Sequence, residues 1–224
     1  MDINELILQM RKNAIFAVER GSVVYGTVNG NSDVDVLAIV PDEHQDFLSE
    51  YENGILRAND VSTYLSKDED WEFISISNFK KQVQDCTVLA METLFTPVEN
   101  IIYKKNCDVQ IDFKIDKWKV RQQFSGTASN SWAKAHKKMT VEKDLDMYRG
   151  VKSLFHSLRI LMFANQLCEH EIIVNFKEAK DIWLEIYMEY LDGKQWDYFK
   201  EKYRPVYNEL RSKLAILAPK PISQ

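Results

Sequence analysis

The apolar run Val34–Val40 constrains the fold of this chain more than any other stretch of its sequence. The run is rich in β-branched residues and stops at Pro41, which predicts a strand. A loop rich in glycine and asparagine, residues 21–31, precedes it. Asp33 and Asp35 stand at the head of the strand, where an unpartnered carboxylate is costly. Because side chains alternate along a strand, the two aspartates share one face and repel each other.

Other elements of the first half are predicted from the spacing of apolar residues. Residues 3–18 carry apolar side chains at helical spacing, and residues 71–76 (WEFISI) indicate a second strand. Residues 78–94 predict a helix, and Pro97 closes the segment that follows it. Residues 53–65 match neither a helical nor a strand pattern clearly.

From about residue 117 onward the pattern is mostly helical. The predicted helices lie near residues 128–139, 144–166, 176–191 and 195–217. Strands that cluster early and helices that cluster late are typical of an α+β fold. We therefore predict a small mixed β-sheet core over residues 1–112 and a C-terminal helical half over residues 113–224, which completes the site.

Composition excludes several classes of protein. The 224 residues include no apolar run of 18 or more, so no membrane span is expected, and the N-terminus lacks the order of a signal peptide. The three cysteines lack CxxC spacing and fit a reducing cytoplasm. The net charge of −5 argues against broad nonspecific binding of nucleic acid. An acidic first part and a basic middle suit a site that holds both a cation and a polyanion.

The aspartate pair and an upstream turn are the two motifs that carry chemistry. A divalent cation removes the repulsion between Asp33 and Asp35, and magnesium prefers carboxylate oxygens together with substrate phosphate oxygens. Gly21 and Ser22 lie upstream, with Ser22 eleven residues before Asp33. A glycine followed by a small hydroxyl lets backbone N–H groups approach an anion closely. Together the two motifs form the halves of a nucleoside-triphosphate site, whereas the alternative makes Gly21 a simple helix cap.

These motifs resemble a known signature. The run GS-x(10)-D-x-D is similar to that of the DNA-polymerase-β-like nucleotidyltransferase superfamily, and GSVVYGTVNGNSDVDV resembles its bacterial and phage "predicted nucleotidyltransferase" branch. Further stretches resemble later parts of the same branch and extend the similarity over most of the chain: DWEFISISNFKK, AMETLFTP, FSGTASNSWAKAHKK and KSLFHSLRIL.

The resemblance assigns roles to several residues. It implies that Gly21 and Ser22 hold the triphosphate, and that Asp33 and Asp35 are catalytic and ligate Mg²⁺, with Mn²⁺ as the alternative ion. The superfamily usually has a third carboxylate on a neighbouring strand, and Asp70 and Glu72 both qualify because they share a face. The choice stays open, so both are catalytic candidates, with Glu72 also placed among the metal ligands.

Two basic helices are the remaining part of the predicted site. Lys134 and Lys138 lie on one face of a helix, as do Lys152 and Arg159 on the next. In the resembled branch these helices face the nucleotide, so we predict that the four residues bind it, although each could equally lie on a solvated surface.

The predicted activity is the transfer of a nucleoside monophosphate from an NTP, ATP favoured, to an acceptor. The acceptor is a tRNA, a protein or a small molecule, and the oligomeric state is open. The alternative is a non-catalytic protein of the same fold that binds a nucleotide or a partner.

Overall fold

A computed structural model of the chain describes residues 2–29, 32–61, 69–105, 111 and 113–221. Residues 30 and 31 of the predicted loop, and residues 62–65 of the unassigned segment, lie outside the described residues. The contacts divide the chain into a first unit, Met1–Asp85 with Leu89–Lys114, and a second unit, Cys86–Val88 with Ile115–Gln224. Within the described ranges, no helix combines the length and the apolar character that a membrane crossing requires.

The first unit contains a mixed sheet. Its described strands are β1 (Phe16–Arg20), β2 (Val34–Val40), β3 (Ile55–Arg57), β4 (Glu69–Ser75) and β5 (Ile101–Lys104). They lie side by side in the order β3-β4-β2-β1-β5. Only the central pair, β2 with β4, is parallel, and the other neighbours are antiparallel. The sheet and the helices that follow confirm the α+β class.

Helices and short turns connect the strands of the first half. The helices are α1 (Ile3–Asn13), α2 (Ser22–Tyr25), α3 (Gln45–Leu48), α4 (Ala58–Val61), α5 (Ile76–Gln84) and α6 (Val88–Leu94). Single 3₁₀ turns lie at Asp42–His44, Glu52–Gly54 and Val98–Asn100. The Ser75 side chain accepts a hydrogen bond from the Asn78 N–H and so caps α5 at the end of β4.

One face of the sheet packs against α1 in a buried cluster of the first unit. Ile7 and Met10 of α1 join Val36, Trp71 and Phe73 in a single buried cluster. Because side chains alternate along a strand, the residues between these point to the opposite face. Burial of the apolar face fixes the register of β2 and β4, since a slip of one residue would bring their carboxylates into the core.

The second unit consists mainly of four long helices in its described part. These are α7 (Lys117–Thr140), α8 (Met147–His170), α9 (Lys180–Leu191) and α10 (Trp196–Leu217), with a 3₁₀ turn at Glu142–Asp144. Asp116 caps α7 and Asp146 caps α8, each by accepting a backbone N–H three residues on. Helix α8 is buried along most of its length and contacts α7, α9 and α10, which makes it the centre of this unit.

The structure corrects two sequence predictions. The predicted helix over residues 3–18 is wrong beyond Asn13, because Phe16–Arg20 is strand β1, paired on both sides. The single helix predicted over residues 78–94 is broken into α5 and α6. The break includes Cys86, which has a φ of +51°, a left-handed conformation that ends a helix. By contrast, the strand Val34–Val40 is confirmed from its first residue to its last.

Candidate active site

Register across the sheet places three charged side chains in one row. Arg20 of β1 lies opposite Asp35 of β2, and Asp35 lies beside Asp70 of β4. Residues in register on neighbouring strands point to the same face, here the one away from the α1 core. One step along the sheet, Glu72 lies beside Arg57 of β3. The structure therefore gathers Asp35, Asp70 and Glu72, as the sequence predicted, and adds two arginines that it did not.

Gly21 brings the backbone close to the Asp35 carboxylate. Its φ is +69°, and a Cβ built on it would lie 2.2 Å from Oδ2 of Asp35. Only glycine tolerates both the conformation and the close approach. Ser22 begins α2 directly after this glycine. The predicted phosphate-binding turn thus lies in contact with the predicted metal-binding aspartate.

A buried hydrogen bond ties α2 to α6. The Tyr25 hydroxyl donates to Oε2 of Glu92 over 2.5 Å, and both residues are buried. The sequence predicted no role for this pair. The signal available was an acid within the apolar stretch VLAMETLF, where an ionised side chain is costly without a donor.

The pKa values of Asp35 and Asp70 are both raised, mainly by burial. Burial raises the pKa of Asp35 to about 6, the charge of Asp33 adds to the rise, and the charge of Arg20 opposes it. Burial also raises the pKa of Asp70, with a further contribution from Glu72. An arrangement that disfavours ionisation in this way is stabilised when a cation binds.

Two buried polar atoms of the row have no hydrogen-bond partner among the described residues. They are Oδ1 of Asp70 and Nε of Arg20. An unsatisfied buried polar group costs about 1–3 kcal/mol. An unsatisfied acceptor and an unsatisfied donor on either side of Asp35 suit a ligand that carries both signs of charge, such as a metal-bound phosphate.

Glu72 differs from Asp70 in having both oxygens engaged. Its Oε2 accepts from Nη1 of Arg20 over 2.7 Å, and its Oε1 accepts from Nε of Arg57 over 2.9 Å. Both contacts are ion pairs. The predicted role of Glu72 as a metal ligand stays a prediction, but its carboxylate already serves two guanidinium groups.

The donor set suits a hard cation. Within the described residues, no group of three or more His, Cys, Asp or Glu side chains is arranged so as to hold a metal ion. Mg²⁺ does not need such a group, because it is usually bound by one or two carboxylates, substrate phosphates and water. The unpartnered Oδ1 of Asp70 beside Asp35 fits that mode of binding.

The four predicted basic residues all lie in the second unit. Lys134 and Lys138 are on α7, and Lys152 and Arg159 are on α8. Lys134 and Lys152 are exposed, whereas Arg159 is buried with its guanidinium 4.9 Å from the centre of a phenylalanine ring. Their binding of the nucleotide stays a prediction.

Comparison with known proteins found a matching family model and similar solved structures. The family model of the RNA repair pathway DNA polymerase beta family, RlaP, matches residues 2–186. A spectinomycin adenyltransferase from Enterococcus faecialis, solved with ATP and spectinomycin, is 14% identical over 95% of this chain and 98% of that chain, with a TM-score of 0.45. A nucleotidyltransferase-like protein from Exiguobacterium sibiricum 255-15 is 13% identical over 92% of this chain and 70% of that chain, with a TM-score of 0.31. A comparison with curated proteins found no match.

Proposed function

The chain belongs to the RNA repair pathway DNA polymerase beta family, and we propose that it transfers a nucleoside monophosphate from ATP to the hydroxyl of an RNA end. The observation that carries the proposal is the Asp35–Asp70 pair on adjacent parallel strands, in contact with the Gly21 turn. The family description favours an RNA acceptor over a protein or a small molecule.

We propose that Asp35 and Asp70 hold Mg²⁺, or Mn²⁺, together with phosphate oxygens of the nucleotide, while ligation of the ion by Asp33 stays a prediction. A divalent ion bound there supplies charge stabilisation to the attacking and leaving oxygens of an in-line displacement. The proposal is supported by the raised pKa values of Asp35 and Asp70, because a bound cation offsets the repulsion and burial that raise them.

The turn at Gly21 and Ser22 binds the triphosphate in this proposal. The absence of a Cβ at Gly21 lets a phosphate and its ion approach the Asp35 carboxylate, and backbone N–H groups with the Ser22 hydroxyl donate to phosphate oxygens. Binding of the nucleotide by Lys134, Lys138, Lys152 and Arg159 stays a prediction that the resemblance implies.

Asp70, rather than Glu72, is our choice for the general base. Its Oδ1 has no partner among the described residues and is available for the acceptor hydroxyl or the ion. Glu72 would first have to release two guanidinium groups.

The test is transfer from α-labelled ATP to an RNA hairpin with a free 3′ hydroxyl, in the presence of Mg²⁺. We expect Asp35→Asn and Asp70→Asn to lower the rate by at least about 10²-fold. Asp46→Asn, an exposed carboxylate on α3, is the matched control and should retain the wild-type rate.

Asp70→Asn with wild-type activity would contradict the assignment of the base. Wild-type protein that binds ATP but transfers nothing to any acceptor would instead support the non-catalytic alternative.

A further inference from the structure

We propose that Arg57, held in place by Glu72, binds a phosphate of the acceptor strand and so determines that the acceptor is a polynucleotide. The inference rests on the proposed function and adds a residue that specifies the second substrate of the same site.

The order of the strands gives the site two sides. Gly21 follows β1 on one side of Asp35, while Asp70 and then Arg57 lie on the other side, on β4 and β3. Neighbouring strands are about 5 Å apart, so the β3 backbone lies about 10 Å from that of β2. An in-line displacement places the attacking and leaving oxygens on opposite sides of the phosphorus. With the leaving pyrophosphate at the Gly21 turn, the acceptor enters over β4 and β3.

The ion pair with Glu72 positions the Arg57 guanidinium but engages only one of its nitrogens. Its Nε donates to Glu72, and its side chain is 64% exposed. Among the described residues, no oxygen accepts a hydrogen bond from its two terminal nitrogens. The paired Nε fixes the guanidinium, and the fork of terminal N–H groups matches the geometry of a phosphate.

Glu72 does not require Arg57 for the neutralisation of its charge. Arg20 already pairs with the same carboxylate over 2.7 Å from a less exposed position, so Glu72 carries one negative charge between two positive ones. The positive charge that lies on the acceptor side, over β3, is therefore that of Arg57. Asp60 and Asp70 are the other acids whose charges act on Arg57, and the Arg57 charge in turn lowers the pKa of Asp70.

The test separates binding of the acceptor from binding of ATP. It uses Arg57→Gln, which loses the charge, and Arg57→Lys, which keeps the charge but not the fork. The control is Arg149→Gln, because Arg149 is also exposed, at 70%, and also pairs through Nε with a carboxylate, that of Asp146. The probe is a fluorescent RNA hairpin with a free 3′ hydroxyl, studied by anisotropy and as the acceptor of labelled AMP.

We expect Arg57→Gln to raise the KM for the hairpin about 10- to 100-fold, the range for one lost hydrogen bond to a charged group, and to leave the KM for ATP unchanged. The slope of log affinity against log salt should fall by about one in Arg57→Gln. Arg57→Lys should keep the slope with a smaller rise in KM, and Arg149→Gln should match the wild type.

Failure of this inference is distinguishable from failure of the proposed function. A wild-type hairpin KM and salt slope in Arg57→Gln, with Asp35→Asn inactive, would overturn the role of Arg57 and leave the transfer activity standing. Undiminished transfer by Asp35→Asn would overturn the proposed function itself. In a wild-type protein without transfer activity, hairpin binding that is absent, or that Arg57→Gln leaves unchanged, would also overturn the inference.

Discussion

Replacing Gly21 by alanine is the sharpest test of the geometry of the site. The added Cβ would lie 2.2 Å from Oδ2 of Asp35, a distance that no pair of non-bonded atoms tolerates. Either the carboxylate rotates away or the turn moves. Both changes separate the proposed phosphate-binding turn from the proposed metal ligand.

Gly21→Ala should have two effects, a loss of folding free energy and a loss of transfer rate. The backbone at Gly21, with φ +69° and ψ −141°, lies in a region almost restricted to glycine, and alanine there costs about 1–3 kcal/mol of folding free energy. The displacement of Asp35 adds a catalytic loss, and a shift of about 1 Å in such a group lowers the rate by about 10²-fold.

Gly193 supplies the matched control. Its φ is +75°, yet a Cβ built on it meets nothing within 4 Å. Gly193→Ala should therefore lower the free energy of unfolding, measured by urea denaturation, while AMP transfer to the RNA hairpin stays at the wild-type rate. Gly21→Ala should lower both.

Equal transfer rates for Gly21→Ala and Gly193→Ala would refute the reasoning. That result would mean that the contact between Gly21 and Asp35 has no part in the chemistry.

Three further predictions concern stability. Tyr25→Phe removes the donor to the buried Glu92 carboxylate and should cost about 1–3 kcal/mol in urea unfolding, so an unchanged midpoint would contradict the importance of this bond. Gly126→Ala, on the exposed side of α7 with nothing within 4 Å of the new Cβ, should stabilise the protein by about 1 kcal/mol, and a lower melting temperature would contradict this. The pKa of Asp35 is about 6 in the folded protein and has its ordinary value of 3.8 in the unfolded chain. Between these two pH values the folded state therefore binds more protons than the unfolded state. Without divalent cations, stability should fall as the pH rises from about 4 to about 6. Asp35→Asn should lessen this slope, and an identical slope in both proteins would contradict the coupling.

The parts of the fold that follow from local pattern could be predicted from the sequence. Strand β2 was predictable because a run of β-branched residues that ends at a proline is typical of a strand. Strand β1 was not, because Ala14 and Ala17 continue the apolar spacing of α1. The residues from Phe16 become a strand through pairing with β2 and β5, which are distant in the sequence. The break at Cys86 also lacked the usual glycine or proline signal.

The sequence predicted which acids of the candidate site share a face of their strand, but not which residues lie beside them on neighbouring strands. A period of two places Asp70 and Glu72 on one face and makes them equivalent. Register separates them, because Asp70 lies beside Asp35 whereas Glu72 lies beside Arg57. The arginines that occupy Glu72 are 52 and 15 residues away in the chain, and no local pattern relates them to it.

Strand β4 carries two acids with different surroundings, since Asp70 has an oxygen without a partner among the described residues and Glu72 pairs with two arginines. An acid without a counter-ion is costly in a half-buried position, and a bound cation and nucleotide would remove that cost for Asp70. An acid that holds two guanidinium groups is stable in the free protein and keeps Arg57 near the proposed path of the acceptor. Exchanging their roles would require Glu72 to leave its partners whenever a metal bound. The arrangement therefore favours Asp70 for chemistry that depends on a ligand and Glu72 for the fixed electrostatics around it.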